Sequence, residues 1–225
     1  MKIQSTMNVS ETEKLKVMVY GLSGSGKTKL VSTLKERILL LNADKGMRTI
    51  QGSEIDYVTA NSWEDIVEFL NYMKTKECSE KYNWIVFDTV TAMFDLLSAH
   101  LEKRQASDSK FDGFAFWKEY GGRLLTFLRV IRDQNTYNTL ALFQHSTKED
   151  KDGMSQQVFG LQGSCATRPP DFFDEVFVLR QDKNNARMLQ TATSAGYLAK
   201  DRSQVLEKSE VADLSVVMAK ILKGK

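Results

Sequence analysis

The segment Gly21-Leu22-Ser23-Gly24-Ser25-Gly26-Lys27-Thr28 restricts the fold of this chain more than any other feature, because it matches G-x-x-x-x-G-K-[ST]. Glycines at these spacings let the backbone curl with its amides pointing inward, which makes a cradle for phosphate oxygens. Such a cradle needs a strand to deliver it and a helix to continue from it. Leu15 to Tyr20 is an apolar run rich in branched residues and predicts the strand, and Lys27 to Glu36 predicts the helix. Gly21, Ser23, Gly24, Ser25, Gly26, Lys27, Thr28 and Lys29 are therefore candidates for holding the phosphates of a nucleoside triphosphate. In this pattern the lysine reaches the β- and γ-phosphates, and the hydroxyl of Thr28 ligates Mg²⁺.

Downstream, short apolar runs alternate with helical patterns. Arg37 to Leu41, Ile55 to Ala60, Trp84 to Asp88 and Leu140 to Gln144 predict strands. Ser62 and Asp65 form a capping box ahead of a helix whose stripe is Ile66, Phe69, Leu70 and Met73. Helices are also expected from about Ala92 to Lys103, along Trp117, Tyr120, Leu124, Leu128 and Ile131, and at Val211, Leu214, Met218 and Ile221. Gly121-Gly122 weakens the middle of the second of these. Residues 146–170 read as a long polar loop, and Glu175 to Leu179 and Met188 to Ala192 as edge strands. This alternation predicts an α/β fold with a mostly parallel sheet covered on both faces.

The length, 225 residues, suits one large domain that needs no disulfide framework. Cys78 and Cys165 fall in no metal or redox motif, which fits a reducing compartment. With 31 basic and 29 acidic residues, the net charge of +2 lacks the excess typical of nucleic-acid binders, although a local patch would suffice. No apolar run approaches the roughly 20 residues of a spanning helix, and the first residues show no leader pattern. A soluble, cytoplasmic protein without membrane contact is expected.

Asp88 closes the run Trp84-Ile85-Val86-Phe87. A carboxylate at the end of a central strand can hold Mg²⁺ through its water shell, so Thr28 and Asp88 are the candidate metal residues. An aspartate there can also serve only to cap the next helix. Residue 89 is Thr, whereas helicases and AAA+ proteins usually place a glutamate directly after this aspartate, which disfavours those classes. Asn42-Ala43-Asp44-Lys45 has the wrong order for the guanine motif Asn-Lys-x-Asp. No arginine-rich lid of a nucleoside kinase is present; Arg168 and Arg202 stand apart.

With these features in place, the chain resembles the RecA-like recombinase core, and within it the phage-encoded ATPases of the Sak-type single-strand annealing branch. The resemblance spans roughly residues 14–205. It rests on residues 21–28, Leu40-Leu41-Asn42-Ala43-Asp44, the strand ending Asp88-Thr89, Leu142-Phe143-Gln144-His145, and Ala199-Lys200-Asp201-Arg202. It implies a RecA-like P-loop NTPase core at 14–205 with an antiparallel edge extension, an N-terminal extension at 1–13, and a C-terminal helix within 206–225 packed on the core. By this resemblance Asp44 polarises the attacking water, where RecA itself has a longer glutamate. Gln144 senses the γ-phosphate, a role His145 shares unless it is a core histidine. Lys200 and Arg202 reach across a subunit interface. The implied catalytic set is Lys27, Asp44, Asp88, Gln144, Lys200 and Arg202.

The resemblance further implies two DNA-contacting loops, Arg104 to Phe111 and Ser146 to Arg168. They offer Arg104, Lys110, Lys148, Lys151 and Arg168 to phosphates and Phe159 to a base, with Glu149, Asp150 and Asp152 opposing. Phe114, Phe116 and Trp117 read as core or subunit-packing residues. The function implied is a Mg²⁺-dependent, DNA-stimulated ATPase. It would assemble as a ring or filament on single-stranded DNA and promote annealing or recombination in a phage-infected bacterial cytoplasm. A single-strand-binding protein is a candidate second partner. Two other readings stay open: a nucleotide-dependent switch acting on a protein partner without DNA, and a small-molecule phosphotransferase.

Overall fold

The computed structural model describes residues 14–149, 155–163, 166–194 and 196–223; the expected N-terminal extension, 1–13, lies outside them. In chain order the first half runs β1 (Lys16–Gly21), α1 (Lys27–Val31), β2 (Ile38–Asn42), β3 (Asp56–Thr59), α2 (Trp63–Tyr72), α3 (Lys76–Lys81), β4 (Trp84–Asp88) and α4 (Val90–Ser107). The second half runs α5 (Gly113–Asp133), β5 (Asn138–Glu149), β6 (Ser155–Phe159), β7 (Glu175–Gln181), β8 (Arg187–Gln190), β9 (Lys200–Asp201), β10 (Ser209–Val211) and α6 (Leu214–Lys223).

The strands form one sheet in the order β10-β8-β7-β1-β5-β4-β2-β3, with β6 added to β5 and β9 to β7. From β7 to β3 every pairing is parallel, and β8, β9 and β10 make an antiparallel extension. β1, β2 and β4 are buried at every position, as expected for strands covered on both faces. Alternate residues of β1 serve two cores. Met18 and Tyr20 pack with α2, α4 and α5, while Val17 and Val19 pack with α1 and α6. The expected architecture, a mostly parallel P-loop NTPase core with an antiparallel extension, is the one observed.

β5 lies between β1 and β4, so the strand leading to the phosphate loop and the strand ending at Asp88 are not neighbours. Gly21 pairs with Gln144 and Asn42 with Asp88, which brings the ends of four strands to one edge of the sheet.

Several local expectations change. The helix after the loop ends at Val31 rather than Glu36. Ser32 and Thr33 donate their hydroxyls to the carbonyls of Lys29 and Leu30, which competes with helix continuation. Gly121-Gly122 does not interrupt α5, because Tyr120, Leu124, Phe127 and Leu128 bury its stripe on both sides of the pair. Nor are residues 146–170 a structureless loop. β5 runs on to Glu149, and His145–Glu149 pairs antiparallel with Ser155–Phe159, giving a hairpin that extends past the sheet edge. The polar alternation of that ribbon hides it from an apolar-run reading.

Candidate active site

Gly21 ends β1 with no room for a side chain: a Cβ there would meet the Leu179 carbonyl oxygen at 2.8 Å. The loop then turns through left-handed backbone at Gly24 and Gly26. Lys27 is buried and donates its ammonium to the carbonyls of Gly21 and Leu22, at 3.0 and 2.9 Å. Burial holds that ammonium below its ordinary pKa, and the charges of Asp88 and Asp44 pull the other way. Ser23 and Lys29 are exposed on the loop and on α1, and the Ser25 hydroxyl is enclosed without a hydrogen-bond partner among the described residues.

Asp88 is fully buried at the end of β4 and accepts a hydrogen bond from the Thr28 hydroxyl at 2.7 Å. Its Oδ1 has no hydrogen-bond partner among the described residues. Burial raises this carboxyl to about 6, against the bond from Thr28 and the charge of Lys27, while Asp44 adds to the rise. A buried carboxylate oxygen left over beside a threonine hydroxyl is a donor set suited to a hard divalent cation, so the residues fit Mg²⁺. Thr89 cannot act as a base, because it is buried and its hydroxyl caps α4 by accepting from the Ala92 amide.

Asp44 is exposed just beyond β2. The amides of Ala43 and Asp44 both donate to the Asp88 carbonyl, and the adjoining Gly46 comes close to the Thr28 hydroxyl, 3.3 Å from where a Cβ would sit. Gln144 is half-buried beside Gly21; its amide is held by the Thr91 hydroxyl and its carbonyl accepts from Gly160. Lys27, Thr28, Asp44, Asp88 and Gln144 thus surround one sheet edge. His145 is buried in a ring cluster with Tyr20 and Tyr197, each 5.5 Å away.

Lys200 and Arg202 are not brought to this edge. Lys200 pairs with Val176 at the opposite end of β7, and its ammonium binds the Pro170 carbonyl. Arg202 pairs with Asp174 at 2.7 Å. Among the expected DNA contacts, Phe159 is corrected: it is buried against Tyr20 and Phe143, so no base can stack on it. Arg104 is paired with Glu119 and lies over the Phe111 ring, and Arg168 faces Asp171 at 3.5 Å. Lys110 is exposed, Lys148 sits on β5, and Lys151 lies outside the described residues. Phe116 is buried as expected, but Phe114 is exposed and Trp117 half-exposed.

Two residues at the site escape a motif-based reading. Arg187, the first residue of β8, donates from Nε to the Ser25 carbonyl at 3.0 Å. Asp95, one turn into α4, feels the charge of Asp44, and burial together with that charge raises its carboxyl. Arg187 carries no local signal, since it reaches the loop only through the β7–β8 hairpin. The position of Asp95 seven residues after Asp88 was a usable hint, because it sits on the helix that leaves the site.

A family model described as an AAA domain matches residues 13–203. This chain belongs to that family. No curated protein matches it at a significant level. Membership of the AAA domain family makes this a P-loop ATPase-type domain and overturns the expectation, drawn from Thr89, that AAA proteins are disfavoured. The carboxylates beside the phosphate loop are Asp88, at the end of β4, and Asp44, just beyond β2, rather than a residue at position 89. Among the described residues, no helix is long and apolar enough to cross a membrane.

Proposed function

We propose that this chain is a Mg²⁺-dependent ATPase of RecA-like type whose turnover is coupled to the β5–β6 hairpin. The observation that carries this reading is the continuity of β5. Within seven residues it passes from the pairing of Phe143 with Tyr20, through Gln144 beside the phosphate loop, into the projecting ribbon. A change felt at Gln144 is therefore delivered to the hairpin through an unbroken strand.

In the reaction, water attacks the γ-phosphorus of ATP, the bond to the β–γ bridging oxygen breaks, and ADP and phosphate leave. The loop amides and Lys27 hold the phosphates and offset the charge on the departing oxygen. Thr28 and Asp88 would hold Mg²⁺, which supplies further charge neutralisation when bound. Asp44 orients the water, with Asp95, also exposed, as the alternative. Gln144 faces the γ-phosphate.

Within one chain Lys200 sits level with Met18 and Arg202 lies beyond the level of Val17, about 10 Å and at least about 13 Å of strand from Gly21 at roughly 3.3 Å per residue. They can serve only a neighbouring subunit, which makes the proposed assembly a ring or filament with ATP between protomers. Single-stranded DNA is the proposed partner of the assembly, with annealing or recombination in a phage-infected cell as the outcome. Contacts come from the exposed Lys110 in the α4–α5 turn and from the β5–β6 hairpin rather than from Phe159. A protein partner is the second reading, favoured by the exposed Phe114 at the start of α5.

The test is steady-state ATP hydrolysis with and without single-stranded DNA at two salt concentrations, with Lys27→Ala as control. Stimulation that weakens with salt supports the DNA reading. Hydrolysis indifferent to DNA moves it to a protein partner, and hydrolysis unaffected by Lys27→Ala sinks the mechanism.

A further inference from the structure

β4 stops short of the level that β5 reaches. The last pairing between them is Phe87 with Ala141, whereas β5 runs on beside β1 until Gln144 meets Gly21. The Gln144 amide thus lies beyond the reach of β4, and a backbone amide left unpaired in the interior is costly. Thr91 takes the place of the missing strand. It is the second residue of α4, it is buried, and its hydroxyl accepts from the Gln144 amide at 3.1 Å.

The same threonine meets the other leg of the hairpin. The Gly160 amide donates to the Gln144 carbonyl at 2.9 Å, and a Cβ at Gly160 would lie 2.8 Å from the Thr91 methyl. The Gly160 backbone is not left-handed, so the nearness of that methyl, rather than a turn, is what calls for glycine. The hydroxyl of Thr91 therefore holds β5, and its methyl abuts the residue that follows β6.

At its other end Thr91 is joined to the phosphate site by a short stretch of chain. Asp88, which accepts from the Thr28 hydroxyl, is three residues before it, and Thr89 between them caps α4. Rigid elements linked by hydrogen bonds are the means by which one site biases another. We propose that Thr91 is a positioning residue that transmits a change at Asp88 to the root of the β5–β6 hairpin, by a route separate from any contact of the Gln144 side chain. Its role rests on the coupling of ATPase and hairpin proposed above and names the residue that links them.

The test is hydrogen exchange of the hairpin amides in the full chain, with and without a non-hydrolysable ATP analogue and Mg²⁺. In the wild type the analogue is expected to slow that exchange at least about tenfold. Thr91→Val keeps the shape and removes the acceptor, so the analogue no longer slows exchange. That variant is also expected to bind the analogue within about twofold of the wild type and to lose about tenfold in kcat at unchanged KM. Thr91→Ser keeps the hydroxyl and restores the response. Gly160→Ala presses on the methyl and loses the response, and Thr91→Ser combined with Gly160→Ala regains it because the methyl is gone.

A threonine that only supports the fold gives another pattern. Exchange in Thr91→Val then rises by the same factor with and without the analogue, so the response persists. That pattern overturns the proposal, as does wild-type kcat in Thr91→Val. If Thr91→Val does not fold, Gly160→Ala and its double variant decide alone, and a response kept in Gly160→Ala overturns the proposal. Wild-type amides that ignore the analogue give a distinct result, for they remove the coupling itself and the part of Thr91 with it.

Discussion

Gly26→Ala measures the contact between the phosphate loop and the β7–β8 hairpin directly. Gly26 has φ 97° and ψ 26°, a left-handed conformation that costs a residue with a Cβ about 1–2 kcal/mol. The new Cβ would also lie 2.6 Å from Arg187 Nε and 2.8 Å from its Cζ, which no pair of atoms tolerates. The guanidinium ends a flexible chain, so it swings away instead of straining the backbone. The loss is then its hydrogen bond to the Ser25 carbonyl, worth about 1 kcal/mol. Together the two effects destabilise the fold by about 2–3 kcal/mol, or about 4–12 °C in Tm for a chain of this size. Thermal and urea unfolding of Gly26→Ala, Arg187→Ala and the double variant separate them. In the Arg187→Ala background the glycine replacement should cost only the backbone part, leaving a coupling of about 1 kcal/mol. Equal costs in both backgrounds would refute the placement of Arg187 over the loop. A cost under about 0.5 kcal/mol in the wild type would refute the left-handed turn itself.

Thr28→Val removes the only hydroxyl among the described residues that binds Asp88 and leaves a fully buried carboxylate unsatisfied, so unfolding free energy falls by about 1–3 kcal/mol and Mg²⁺-supported nucleotide binding weakens; calorimetry and urea titration check both. Arg202→Ala deletes an exposed ion pair and should change stability by less than about 1 kcal/mol. If Arg202 completes a neighbour's site, turnover of the assembled protein drops about a thousandfold, read as a function of protein concentration; unchanged turnover removes it from the reaction. Glu175 is 1% exposed, and burial with the nearby Asp201 charge raises its carboxyl from 4.5 to about 7. The folded state therefore holds this proton more tightly than the unfolded chain. Its contribution, about 3 kcal/mol, is complete below pH 4.5 and lost as pH rises to about 7. Urea midpoints across that window should decline in the wild type and much less in Glu175→Gln.

Legibility in the sequence followed physical locality. The phosphate loop, the buried strands and the capping box at Ser62 and Asp65 are each written in a few consecutive residues, and they form as read. The position of Asp88 at a strand end was equally plain, whereas a capping role stayed open for it until the structure showed Thr89, not Asp88, capping α4. The ribbon from His145 to Phe159 was not, since its polar alternation resembles a loop until two strands pair. Phe159 shows the same limit: its burial depends on Tyr20 and Phe143, which are far away in the chain. Arg187 is the clearest case. Nothing around it speaks of phosphate, and only the return of β8 along β7 carries it to Ser25.

The β5–β6 ribbon has a mechanical consequence. β5 is held between β1 and β4 up to Ala141 and by β1 alone up to Gln144, and the Gln144 carbonyl also accepts from Gly160, just past the end of β6. Both legs are thus clamped at one point, next to where the γ-phosphate is proposed to sit. From there His145 to Glu149 reaches about 17 Å at roughly 3.3 Å per residue. A lever of that length with its fulcrum at Gln144 turns a tilt of about 5° into a sweep of about 1.5 Å at the tip. That is enough to make or break a hydrogen bond while the sheet below stays in register.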